Sequence, residues 1–213
     1  MERLEEIAER IHQAFETRTA ARDGALAHAR TLTRHCANAI RAIHRNEFDL
    51  AKDHLIEAGA LVKLLRSNLA NFPDLYFAGY TQDALKEYAE ANLVGAMVKN
   101  QALPTPEELG LEQATYMQGL AEAASELRRR CLDELLHGNS AEAERLLGHM
   151  DDVYSVLVTM DYPDAITGGL RRLTDLVRSV VERTRGDLAL SLRQEQLQKN
   201  LQRLEDRLER YED

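Results

Sequence analysis

Apolar residues recur along the chain at steps of three and four and nowhere alternate with polar ones. The pattern therefore predicts helices and no strands. The first run, about 2–46, reads as one long helix or two that abut near Gly24. Its stripe is Leu4, Ile7, Ile11 and Phe15, then Ala25, Ala29, Leu32, Cys36, Ile40 and Ile43. A second helix is expected over about 49–71, capped by Asp49 and broken at Asn71-Phe72-Pro73-Asp74. The next starts at Leu75 or Thr81, with Thr81 as a plausible N-cap, and runs to Asn100. Thr105 and Pro106 open a short helix at Glu107-Glu108, with Thr105 as its cap. Three more follow: 112–137 closed by Gly138, 141–159 capped by Ser140, and Ala165 to the end, weakened at Gly168-Gly169 and Gly186.

The tail has its own rhythm. Leu190, Leu197, Leu201, Leu204, Leu208 and Tyr211 follow a heptad pattern, with Gln, Arg, Glu and Asp filling most other positions. About three heptads are marginal alone, so the tail is expected to pack on its own body or on another subunit. The architecture predicted is all-α: an antiparallel bundle of about six or seven helices with a long C-terminal helix. A helical domain over 1–190 would carry a heptad extension over 191–213.

The composition agrees with helix. The 213 residues are 44% hydrophobic and 30% charged, with no Trp and four Pro. A formal net charge of -9 argues against a passive, charge-driven nucleic-acid binder but leaves room for a local basic patch. Cys36 and Cys131 read as buried small hydrophobes in a reducing compartment. The chain has no signal-peptide core and no stretch of the ~18 apolar residues a membrane span needs, so a cytoplasmic protein without a membrane partner is expected.

Four carboxylates carry the candidate chemistry. On the helix through residues 85–98, Glu87 and Glu90 share a face with Ala91, Val94 and Val98. A carboxylate withdrawn from water is costly unless a proton, cation or metal compensates it. Glu122 and Glu126 are neighbours on a second helix, about 130° from the stripe of Tyr116, Leu120, Ala124, Leu127 and Cys131. There they face either solvent or a polar cavity. Four oxygen ligands without an imidazole suit a hard cation, Mg²⁺ or Mn²⁺, which could act on a phosphodiester. Phosphate-binding glycine loops, CxxC and HExxH are absent, and no histidine sits at the Glu-x-x-His spacing of di-iron bundles. Arg30, Arg34, Arg41 and Arg45 fall within about 60° on the first helix, where Asp23 is the one acidic residue between Glu16 and Glu47. They form either a solvated face or a phosphate-binding ridge.

Two segments carry a family resemblance. Leu85-Lys86-Glu87-Tyr88-Ala89-Glu90-Ala91 resembles the L-x-E-Y-x-E-A segment of Trax, the translin-associated factor. Tyr116-Met117-Gln118-Gly119-Leu120-Ala121-Glu122-Ala123-Ala124-Ser125-Glu126-Leu127 resembles the Y-x-x-G-[VL]-x-D-x-x-x-E-L segment of the same family. The likeness covers most of residues 1–190 and leaves out the heptad tail. It implies a seven-helix-type fold that binds single-stranded RNA and single-stranded DNA, and a homo-oligomer in a closed assembly. It also implies a Mg²⁺-dependent endoribonuclease in which Glu87, Glu90, Glu122 and Glu126 hold metal and activate water. Translin-type chains of the family bind without cutting, which is the alternative for this chain; a purely structural bundle is a third. The sequence departs from the pattern at Glu122, where the family usually has Asp. The basic residues do not align with the family one by one, so the arginine ridge rests on the helical spacing alone.

Overall fold

A computed structural model describes residues 1–212, with side chains to Leu208; the side chain of Tyr211 lies outside the described residues. Among the described residues there are nine helices and no strand. Six are long: α1 Glu2–His44, α2 Phe48–Asn68, α4 Gly79–Val98, α6 Gln113–Leu136, α7 Ser140–Val158 and α9 Leu170–Glu212. Three are single turns: α3 Pro73–Tyr76, α5 Pro106–Leu109 and α8 Asp164–Thr167. The all-α class and the long final helix follow the hydrophobic pattern.

The chain falls into two compact units, residues 1–120 and residues from 121 onward. In the first, α1, α2 and α4 pack on one another. From Glu2 to Ala20 every residue of α1 is exposed, and its buried stripe begins at Ala25. The helix runs through Gly24 without a break. Burial on α4 is nearly all-round: from Tyr88 to Val98 every residue but Asn92 is buried, which makes α4 the axis of the unit. The Asn92 side-chain amide donates back to the Tyr88 carbonyl.

Three expected caps are replaced. Ser140 is the first residue of α7, whose N-cap is Asn139 without a side-chain cap bond. Glu47, not Asp49, is the N-cap of α2, and it makes no side-chain cap bond. Thr81 lies inside α4, whose N-cap is Ala78; its buried hydroxyl donates to the Leu75 carbonyl instead and ties α4 to α3. The Thr105 cap forms as expected: its hydroxyl accepts from the Glu108 amide while the Glu108 carboxylate accepts from the Thr105 amide.

In the second unit the far half of α6 packs with α7 and α9. Arg128 on α6 donates to the Thr184 hydroxyl at 3.0 Å and pairs with Asp187 at 2.9 Å, both on α9. Arg185 on α9 donates to Asp151 on α7 at 2.6 Å. The Cys131 thiol donates weakly to the Ala143 carbonyl, and burial raises its pKa to about 11. Gly168 and Gly169, both at positive φ, separate α8 from α9, whereas Gly186 does not interrupt α9. No helix among the described residues is long and apolar enough to cross a membrane.

Candidate functional site

α4 supplies Glu87 and Glu90. From Tyr88 to Val98 the helix is buried on nearly every side, so packing fixes its place. Glu90 is 8% exposed, a low figure for a carboxylate, and Glu87 is half-buried. Across from them on α1 lies Cys36, fully buried, whose thiol pKa is raised first by burial and then by the charges of Glu87 and Glu90. The thiol stays protonated and packs as the small apolar residue expected; both cysteines are free.

The start of α6 is fastened to α4 at two places. The Thr115 hydroxyl donates to the Gln82 side-chain oxygen at 2.5 Å. One turn on, Gly119 sits directly on the α4 backbone. A Cβ at that position would lie 2.5 Å from the Ala89 Cβ, 2.8 Å from the Lys86 carbonyl oxygen and 3.0 Å from the Glu90 nitrogen. Only glycine allows this approach. The helix continues unbroken past Gly119, so Glu122, three residues later, is carried to the same end of α4. Carboxylate oxygens of Glu87, Glu90 and Glu122 lie within 4.8 Å of one another.

The four expected carboxylates therefore divide. Three form one cluster, with Glu122 neither fully exposed nor fully buried. Glu126 is outside the three-residue group; its half-buried side chain lies 4.0 Å from the Arg129 guanidinium. The donor set fits a hard divalent cation: three carboxylates, no imidazole and no thiolate, close enough for one ion to meet. Without such an ion, like charges this close oppose one another in a poorly solvated place.

Arg30, Arg34, Arg41 and Arg45 are all exposed. Arg41 donates to Asn38, and Arg45, just past the helix end, pairs with Glu47 at 2.8 Å. On the α1 wheel they stand roughly opposite the stripe of Leu32, Cys36, Ala39 and Ile43. Since Cys36 faces Glu87 and Glu90, the ridge and the carboxylates lie on opposite sides of α1 within one chain. Residue spacing alone could place the arginines on one face but could not say which face the carboxylates would meet.

The positioning glycine is the residue that reasoning from function passed over. Its signal was present as an isolated glycine inside a strongly helical pattern, which often marks close helix contact.

No protein-family model matches the chain. An uncharacterized protein of Methanocaldococcus jannaschii is 35% identical over 179 residues, spanning 83% of this chain and 79% of that protein. Among solved structures, AfC3PO is 30% identical with a TM-score of 0.78, covering 89% of this chain and 96% of its own. AfC3PO solved in complex with duplex RNA gives 29% identity and a TM-score of 0.79 over the same shares. Apo-NeC3PO, at 20% identity, shares the fold with a TM-score of 0.80, covering 86% of this chain and 96% of its own. With the two motif segments, the all-helical architecture and these likenesses together, the chain belongs to the translin/Trax family.

Proposed function

We propose that the protein is an RNA-binding, metal-dependent endoribonuclease of the Trax type. The observation that supports this most is the close approach of the Glu87, Glu90 and Glu122 carboxylates in a half-buried position. A protein that only binds polyanions gains nothing from concentrating negative charge there. RNA as the ligand is favoured by the likeness to AfC3PO, a protein solved with duplex RNA.

In this reading Glu87, Glu90 and Glu122 hold Mg²⁺ or Mn²⁺. Such an ion, when bound, offsets charge on the scissile phosphate and acidifies water. Glu126, a helical turn beyond Glu122, takes the proton from the attacking water while the phosphorus–oxygen bond to the leaving group breaks. Glu122 stands where the family usually has Asp; its extra methylene keeps the ligand type and lengthens its reach. Arg30, Arg34, Arg41 and Arg45 bind the RNA backbone on the far side of α1, so a strand lying on them is held away from its own chain's carboxylates. A homo-oligomeric, closed assembly resolves this by offering one chain's ridge beside another chain's cluster. Single-stranded RNA, and single-stranded DNA without turnover, are the ligands proposed.

The likeness to AfC3PO solved with duplex RNA speaks for binding rather than for cutting, and it favours a second reading, a translin-like oligomer that binds and does not cut. One experiment separates them. Labelled single-stranded RNA and its duplex are incubated with the wild type and with Glu126→Ala, in Mg²⁺ and in chelator. Metal-dependent cutting that the variant loses supports the nuclease. Retardation without cutting in any condition supports the binder, and absence of both refutes an RNA function. Cutting of the duplex alone would replace the single-stranded assignment.

A further inference from the structure

A second group of ligating side chains lies where α1 packs on α2. His35 on α1 and His54 on α2 are both half-buried, and their Nδ1 atoms are 3.2 Å apart. Small buried residues flank them: Ala39 one turn on from His35, and Ala51 and Ala58 one turn to either side of His54. These let the two helices approach, so the imidazoles meet between rigid elements and not on loops. The rings meet edge-on, with centroids 5.3 Å apart and planes at 62°, so the contact is made nitrogen to nitrogen and not by stacking. His35 precedes Cys36 and so points about 100° round α1 from the thiol that faces Glu87 and Glu90. The pair is not part of the carboxylate cluster.

We propose that His35 and His54 form a separate site for a borderline divalent metal ion, Zn²⁺ foremost, bound through both Nδ1 atoms with water in the remaining positions. Two imidazole nitrogens on a tetrahedral ion with bonds of ~2.0–2.1 Å stand about 3.3–3.4 Å apart. The 3.2 Å separation meets that requirement to within the ~0.2 Å that a metal–ligand geometry tolerates. Without metal, the Nδ1–H of one ring donates to the Nδ1 of the other, which needs opposite tautomers. On binding, the donor ring's proton moves to its own Nε2 and both Nδ1 lone pairs go to the ion. Two neutral rings therefore take up the metal with no net release of protons. Partial exposure gives the ion an entry path and leaves room for its waters. Borderline ions prefer imidazole nitrogen and hard ions prefer carboxylate oxygen, so this site and the cluster of Glu87, Glu90 and Glu122 sort different metals. The ion joins α1 to α2 and steadies the helix that carries Arg30, Arg34 and Arg41, without entering the hydrolytic chemistry.

The test uses the untagged full chain carrying Glu90→Gln, which disables the carboxylate cluster as a competing site. Thermal unfolding in chelator, in Mg²⁺ and in Zn²⁺ should show a gain with Zn²⁺ alone, about 5–10 °C at about a hundred times its Kd. Adding His35→Gln or His54→Gln should remove the gain, and both together should remove no more. His12→Gln, at an exposed histidine of α1, should keep it. The Cu²⁺ electron paramagnetic resonance spectrum, read on the folded chain at 25 °C, should show two imidazole nitrogens on the ion, a pattern that either substitution abolishes. This second readout holds even where a substitution lowers the Tm by itself. A Zn²⁺ gain that survives either substitution overturns the proposal. So does the lack of a Zn²⁺ gain, or of the two-nitrogen pattern, with both histidines present; the pair is then a hydrogen bond only. RNA binding and cutting do not enter the readout, so failure here leaves the nuclease reading untouched.

Discussion

Replacing Gly119 with alanine tests how the carboxylate cluster is assembled. The new methyl group would sit 2.5 Å from the Ala89 Cβ, against an ordinary carbon–carbon contact of about 3.5–4.0 Å. The shortfall is roughly 1–1.5 Å, and two of the three close atoms are α4 backbone, which cannot turn aside. Overpacking of this kind costs about 1–3 kcal/mol, offset by about 0.5–1 kcal/mol of helix propensity gained over glycine. A net loss of roughly 1–2 kcal/mol lowers the Tm by about 2–8 °C in a chain of this size. The metal site should suffer more than the fold. α6 must shift away from α4 by a distance several times the ~0.2 Å tolerance of a metal–ligand bond. Thermal unfolding in chelator and in Mn²⁺ reads both effects. In the wild type, Mn²⁺ at about a hundred times its Kd adds about 2.7 kcal/mol; in Gly119→Ala most of that gain disappears. Gly148→Ala is the control: Gly148 is exposed within α7 with nothing within 4 Å of a Cβ, so alanine there should raise the Tm and leave the Mn²⁺ response intact. A Gly119→Ala protein that is destabilised yet gains as much from Mn²⁺ as the wild type would refute the reasoning.

Other outcomes follow from the same structure. Arg30→Glu with Arg34→Glu should weaken RNA retention and flatten its salt dependence by about 0.7 in log–log slope for each phosphate no longer neutralised; an unchanged slope would make the ridge a solvated face only. In the second unit Arg145 donates to both Glu142 and the His149 Nε2, the latter at 2.9 Å. The His149 pKa is lowered by burial and by that guanidinium, so the unfolded chain takes up its proton first. Stability from this group is complete above the ordinary histidine value and is lost as the pH falls through the lowered one; His149→Gln should flatten the stability profile in that window and leave it unchanged at pH 8. The Glu142 pKa is lowered by its hydrogen bond from Arg145, which protects the fold above the ordinary carboxylate value and fails as the pH drops through the lowered one. Glu142→Gln should therefore cost stability at neutral pH and little in strong acid, as denaturant titrations at the two pH values would show.

The hydrophobic period made the six long helices legible, because each buries a stripe that local spacing specifies. It missed the single turn α3, since four residues are too few to show a period. The cap assignments failed where tertiary bonds outweighed local ones: Thr81 has the right side chain for an N-cap, but its hydroxyl is better used on the Leu75 carbonyl inside the unit. For the site, a charged pair on an apolar face marked Glu87 and Glu90 as unusual. Nothing in the spacing could bring Glu122 to them, because that depends on Gly119 meeting Ala89 across thirty residues of sequence. The family resemblance supplied the pairing of the two helices, and it grouped Glu126, one turn beyond Glu122 on α6, with the other three.

The central claim is that the carboxylates of Glu87, Glu90 and Glu122 form a divalent-metal centre. Anomalous diffraction from a crystal of the wild-type protein grown in Mn²⁺ tests it most directly. A manganese peak is expected at roughly 2.0–2.6 Å from an oxygen of each of the three carboxylates, absent in Glu90→Gln crystals under the same conditions. A map with no manganese among these residues, in crystals that bind the ion elsewhere, would contradict it.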